Sequence, residues 1–364
     1  MYKPNSGEPV NLPAFSGLRG IAALIVLFGH VSTPIGAPLN FGIFEPIARY
    51  GGFGVDAFFV LSGFILCHVY ADRLSADVGA LREFAVSRFA RIYPLHVLTL
   101  VMMLGAYAAA GRAGVTPTEQ DGYSFGSIVL SLLMVSEWFD VSAPNPSSWS
   151  ITVEFANYLV FTGVAGILAR LRKFSPIAVA VCAIAVAYSG ESRLFRGLAE
   201  FSMGCAAFYS FRAFPLRRST AAAALFFVAP FYFQPVINLQ YWHVALCFAA
   251  VVYLFAGSPQ LDPFYRLCAS RPIVFLGDIS YSVYLLQWFI WIGWKHVIAK
   301  TALFATHPYW LVFCAALSVI AASTLCHYAF ERPARFWLRK RLAGIRMPPI
   351  SDASQVAPSG DILV

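Results

Sequence analysis

Charge is scarce in this chain. Asp, Glu, Lys and Arg make up 12% of its 364 residues, against about 25% in an ordinary soluble domain, and apolar types supply 59%. No stretch between the apolar runs is able to build a soluble core of its own. Clustered cysteine is missing too. The seven cysteines (Cys67, Cys182, Cys205, Cys247, Cys268, Cys314 and Cys326) are scattered without a Cys-x-x-Cys pair, which excludes the spacing of a metal or disulfide framework. They read as small core hydrophobes. A glycine-rich phosphate loop, a helical His-Glu zinc motif and a dinucleotide fingerprint are also lacking, so nucleotide hydrolysis, zinc proteolysis and Rossmann-type redox chemistry have no support and no metal is expected.

What is present is a series of apolar runs of membrane-spanning length between residues 15 and 330. They predict an all-α, polytopic transmembrane helix bundle of about ten spans, at roughly 15–34, 52–71, 92–110, 149–169, 175–190, 194–211, 219–236, 241–257, 275–298 and 308–330. A further apolar piece, 125–139, is short for a span and reads as re-entrant or interfacial. With the N-terminus in the cytoplasm, only Arg49, Arg112, Arg193, Arg196, Lys295 and Lys300 of the 26 Lys and Arg residues fall outside. If the short piece also spanned, most would. The positive-inside rule therefore puts both termini in the cytoplasm, in a multi-pass protein of the cell inner (plasma) membrane.

Residues 1–340 are expected to form one transmembrane domain, and 341–364 a short polar, disordered cytoplasmic tail. Arg19 interrupts the first run and no small-residue cleavage site follows, so that run reads as a retained helix and not a signal peptide. Leu74, Val78, Leu81, Phe84 and Ala85 recur at helical spacing, which predicts an amphipathic helix on the cytoplasmic leaflet leading into Arg88-x-x-Arg91 and Pro94. The formal charge is +8. Because the basic residues sit in loops on one side, the partner they indicate is membrane lipid, not nucleic acid.

Arg19 and His30 share one face of the first helix, ~16 Å apart along its axis. Ionisable groups at membrane depth are costly and mark function by default. Arg88, Arg91 and Arg332 fall at the inner depth with Arg19, while Asp56 and Glu154 fall at the outer depth with His30. Guanidinium forks suit phosphates. An imidazole suits proton transfer near neutral pH, and a carboxylate from Asp56 or Glu154 is placed to orient it. Trp149, Ser150 and Asn157 are expected at the acceptor entrance. Plainer readings stand beside these: headgroup snorkelling for Arg19, positive-inside anchoring for Arg88 and Arg91, a cap for Asp56, a packing notch for Ser62 and an interfacial ring for Tyr281.

Six segments occur in order at span boundaries. They are Leu18-Arg19-Gly20 running to His30, Gly54-Val55-Asp56 running to Ser62-Gly63-Phe64, Arg88-x-x-Arg91 with Tyr93-Pro94, Trp149 to Glu154, Gly277 to Leu285, and Glu331-Arg332-Pro333. Together they resemble the acyltransferase-3 family of integral membrane acyltransferases over about residues 12 to 337.

The resemblance implies transfer of an acyl group, most often acetyl, from cytoplasmic acyl-CoA to a hydroxyl of an extracytoplasmic carbohydrate or glycolipid. Acyl-CoA would be a donor substrate, with no cofactor bound permanently. The family's functional arginine and histidine fall on Arg19 and His30, and its arginine pair on Arg88 and Arg91. The expected site is then His30 as general base with Asp56 or Glu154, and Arg19, Arg88, Arg91, Tyr281 and Ser62 along the donor.

Two departures stand out. Leu286-Gln287-Trp288 occupies the place where the family often has histidine, and the esterase-like domain of some members is not seen. Transfer is therefore expected within the membrane domain or with a separate partner, a homo-oligomer or glycan-assembly proteins being open. The alternative is a transporter or flippase for an anionic glycan or lipid, which inverted repeats would favour.

Overall fold

A computed structural model describes residues 12–32, 39–74, 78–112, 123–171, 179, 181, 183, 184, 192–216, 220–257, 262–301 and 306–343. Among them there is no strand. The helices are α1 (Leu12–Ser32), α2 (Glu45–Arg49), α3 (Phe53–Leu74), α4 (Val78–Arg112), α5 (Phe125–Leu132), α6 (Trp149–Leu171) and α7 (Arg193–Ala213). They continue as α8 (Ala221–Ile237), α9 (Tyr241–Ala256), α10 (Pro263–Cys268), α11 (Arg271–Asp278), α12 (Ser280–Lys300), α13 (Pro308–Cys326) and α14 (Arg332–Ala343). The expected span 175–190 falls largely outside the described residues, as does the expected tail 341–364, whose first three residues instead continue α14.

Among the described residues, four helices are long and apolar enough to cross a membrane: Pro13–Ser32, Phe53–Leu74, Gly79–Arg112 and Pro308–Leu342. A fifth is obtained when α11 and α12, bent by 64°, are counted together. Helices α8 and α9 are apolar but only 17 and 16 residues long. Outward apolar side chains such as Leu225, Val236 and Leu325, each at least 70% exposed, give the bundle a rim suited to lipid.

The centre is α3, which packs on α1, α4, α6, α7 and α9. Its contact with α7 is possible only because both helices carry glycine at the crossing. A Cβ on Gly63 would lie 2.0 Å from Phe201 O, and one on Gly204 2.0 Å from Val60 O. Small residues let helix backbones meet in this way where no hydrophobic drive operates between helices. Phe15 of α1 stacks on Phe64 of α3 with centroids 5.3 Å apart, which fixes the second central pair.

Helix α7 is too charged to pass as a span, yet most of its middle is buried. Its charges are matched across the bundle. Arg196 pairs with Asp56 of α3 and, at 3.1 Å, with Glu200, and Arg212 meets Asp72 at 2.8 Å.

Two expectations change. The amphipathic piece and the third span are one 35-residue helix, α4, with Pro94 inside it. Proline removes an N–H from the helix ladder, and Tyr281 Oη supplies a donor nearby, 2.6 Å from Ile92 O. The 125–139 piece becomes the eight-residue α5 and a 3₁₀ turn at Ser136–Phe139. Eight residues rise only ~12 Å, far short of a ~30 Å hydrocarbon core. His96 Nε2 lies 2.7 Å from Ser131 O and ties this piece to α4.

Candidate active site

Five of these helices converge on one cavity. Helix α1 contributes Arg19, α4 contributes Arg88 and Arg91, and α6 contributes Ser150, Ile151 and Glu154. Val55, Phe58, Phe59, Ser62 and Ile65 of α3 run along one wall, and Ser280, Tyr281 and Tyr284 of α12 along another. Residues 55 to 65 cover ~15 Å of helix, so the cavity is elongated along α3.

Its charge is lopsided. Among the described residues three guanidiniums line it and one carboxylate, Glu154, faces them. Arg88 and Arg91 are 5% and 8% exposed, too buried to be headgroup anchors. Arg88 lies over the Tyr70 ring at 5.4 Å and donates to Tyr70 Oη at 3.5 Å. Arg19 sits over Phe58 at 5.9 Å. Glu154 accepts a short hydrogen bond from Tyr158, one turn along α6. Buried cations in excess over anions call for an anionic partner.

Of the residues singled out from sequence, Arg19, Ser62, Arg88, Arg91, Glu154 and Tyr281 meet in this cavity. Tyr281 presents only its ring, since its hydroxyl is committed to Ile92 O. His30 and Asp56 are not on the cavity wall. His30 Nδ1 lies 2.9 Å from Val26 O. A carbonyl only accepts, so Nδ1 carries a proton, and in the neutral ring Nε2 then keeps its lone pair. The His30 ring meets Trp288 edge-on at 5.6 Å. Trp288 is one helical turn beyond the cavity-lining Tyr284, so His30 stands just past one end of the cavity.

Asp56 corrects the expectation that it orients His30. It is fully buried and held by Arg196, which donates to its Oδ1 through Nε at 2.8 Å and through Nη2. The expected entrance residues are divided. Ser150 lines the cavity, Trp149 lies under Arg193 at 5.4 Å, and Asn157 is buried 3.5 Å from Gly197 O.

Arg332, expected near the inner arginines, is exposed. Arg335 takes that place, within electrostatic reach of Arg91 and Arg88. It donates to Glu331 at 3.1 Å, and the same carboxylate accepts from Ser282 at 2.6 Å and sits 3.0 Å from His327 Nδ1. The cause is a π-helical turn at His327–Glu331, which inserts a residue and rotates everything after it. The Glu331-x3-Arg335 spacing was the available signal.

A family model described as an acyltransferase domain matches residues 12–328. The chain is similar to the acyltransferase MdmB of Streptomyces mycarofaciens, 34% identical over 164 residues that cover 42% of this chain and 38% of that protein. It is similar to the exopolysaccharide production protein ExoZ of Rhizobium meliloti, 36% identical over 125 residues, 31% of this chain and 34% of the relative. It is also similar to the peptidoglycan O-acetyltransferase OatA of Listeria monocytogenes, 25% identical over 163 residues, 41% of this chain and 23% of the relative. The chain thus spans less than two thirds of each of these relatives. No solved structure matches it.

Proposed function

Because the chain belongs to the acyltransferase-3 family of membrane proteins, we propose that it moves an acyl group, acetyl in the first instance, from acyl-CoA to a hydroxyl of an extracytoplasmic glycan or glycolipid. The observation that carries the donor assignment is the cavity in which Arg19, Arg88 and Arg91 face a single carboxylate. A donor with several phosphates supplies the missing negative charge, and planar guanidinium forks are the side chains suited to phosphate oxygens. The acceptor class follows from relatives whose names denote peptidoglycan O-acetylation and exopolysaccharide production.

In this reading the phosphates rest among the arginines and the pantetheine arm runs along α3. The thioester then emerges beyond Tyr284, where His30 stands. His30 Nε2, unprotonated while Nδ1 donates to Val26 O, removes the proton from the acceptor hydroxyl as its oxygen attacks the thioester carbonyl. The tetrahedral adduct expels the CoA thiolate, which takes up a proton to leave as free thiol. Ser62 on the wall serves as a contact for the donor, and transfer is direct. Ten spans, both termini in the cytoplasm and a place in the inner membrane belong to the same reading, since they put arginines on the donor side and His30 toward the acceptor.

The test is purified full-length protein in nanodiscs with labelled acetyl-CoA and a panel of surface glycans, following thiol release and label on the glycan together. Glycan-dependent thiol release supports the assignment. Glycan or lipid movement across the bilayer without any thiol release would replace it with transport.

A further inference from the structure

The bent span breaks at Ile279, where α11 ends at Asp278 and α12 begins at Ser280 with the axes 64° apart. Three hydroxyl side chains follow in succession, and two are spoken for. Tyr281 donates to Ile92 O and Ser282 donates to Glu331, each at 2.6 Å. Ser280 is different. It is 0% exposed, its Oγ has no hydrogen-bond partner among the described residues, and it lines the same cavity as Arg88 and Arg91.

A buried hydroxyl without a partner costs free energy, and such groups are rare enough to require an account. The break supplies one. Ser280 opens a 21-residue helix, and the first turn of any helix has N–H groups that its own carbonyls cannot satisfy. These groups carry the positive end of the helix dipole and favour anions. The N-cap residue, Ile279, has no side-chain oxygen to cap them. Guanidiniums and a hydroxyl therefore line one cavity, and that hydroxyl stands at a helix start. The one carboxylate there, Glu154, already accepts from Tyr158.

We propose that Ser280 Oγ and the first turn of α12 form an anion subsite that takes a phosphoryl oxygen of the donor's diphosphate, sharing that group with Arg88 and Arg91. The inference rests on the acyl-CoA reading above and extends it, since it makes the kinked helix a phosphate ligand and not merely a hinge.

Full-length protein in nanodiscs is titrated with CoA, with pantetheine, which has the arm without any phosphate, and with inorganic pyrophosphate. Wild type is compared with Ser280→Ala and with Ser280→Cys, which keeps the branching, adds slight bulk and weakens the hydrogen bond. Loss of one hydrogen bond to a charged group should weaken CoA and pyrophosphate about tenfold in both variants and leave pantetheine unchanged. Unchanged CoA and pyrophosphate affinity overturns the subsite. Equal weakening of CoA and pantetheine also overturns it, by moving Ser280 to the arm.

If wild type does not bind CoA, the donor assignment fails and pyrophosphate alone decides the subsite. Binding that drops in the variants supports it, and binding that is absent or unchanged overturns it. Should Ser280→Ala not fold, Ser280→Cys carries the comparison.

Discussion

His30 and Asp56 show how much a side chain's role depends on its neighbours. Both are ionisable, both lie near a helix end, and the sequence offers Asp56, or else Glu154, as the acid that orients His30. In the fold, Asp56 belongs to Arg196, and His30 takes its orientation from Val26 O and Trp288. Their variants should therefore differ. His30→Ala should lower thiol release at least 100-fold, the usual scale of general acid–base catalysis, with expression and melting temperature unchanged. Asp56→Ala leaves Arg196 with Glu200 as its remaining carboxylate partner and should cost about 1.5–3 kcal/mol of stability, the worth of hydrogen bonds to a charged group, read as a lowered midpoint in detergent unfolding. Activity per folded molecule should fall far less than in His30→Ala. The reverse pattern would return Asp56 to the catalytic group.

At the scale of helices, close approach and register decide what the site contains. The α3–α7 crossing has backbone where a side chain at Gly63 or Gly204 would go. Gly63→Val should cost at least about 1–3 kcal/mol, the range for overpacking, and should reduce the monodisperse fraction on size exclusion after heating. A Cβ added at Gly105 of α4 would meet nothing within 4 Å, so Gly105→Ala should gain about 0.5–1 kcal/mol from helix propensity.

Register explains what the sequence missed. The Glu331-Arg332-Pro333 motif directs attention to Arg332, but the helix that follows the π turn presents Arg335, one turn after Glu331, toward α4 instead. Arg19, Arg88, Arg91 and Glu154 were legible because a charge inside an apolar run needs no neighbour to be noticed. Ser280 was not, because serine carries no signal until its burial and missing partner are seen.

Taken whole, the molecule is a bundle with a cationic cavity among five helices, and two predictions belong to that scale. The double variant Arg88→Gln, Arg91→Gln should raise KM for acyl-CoA by roughly tenfold or more, given the usual worth of hydrogen bonds to charged groups. It should also flatten the salt dependence of KM, with kcat changing less. Steady-state kinetics at two ionic strengths would show it, and an unchanged KM would remove these arginines from the donor. For orientation, a fluorescent protein fused after Val364 should be bright and an alkaline phosphatase fused there inactive, as a cytoplasmic C-terminus requires; the opposite pair of results would invert the topology.

Run length and the position of charges along the chain determined by themselves that this is a helical membrane protein, and which ionisable groups had to be explained; the acyltransferase reading came from its resemblance to a family in six ordered segments. Those properties reside in local sequence, because a lipid core selects for apolar length and against unpaired charge. Which charges meet was decided only by tertiary structure. Arg196 finds Asp56 across 140 residues of chain, and a kink at Ile279 turns Ser280 into the cavity. Partner choice at such separations depends on where helices cross and how each is rotated about its axis.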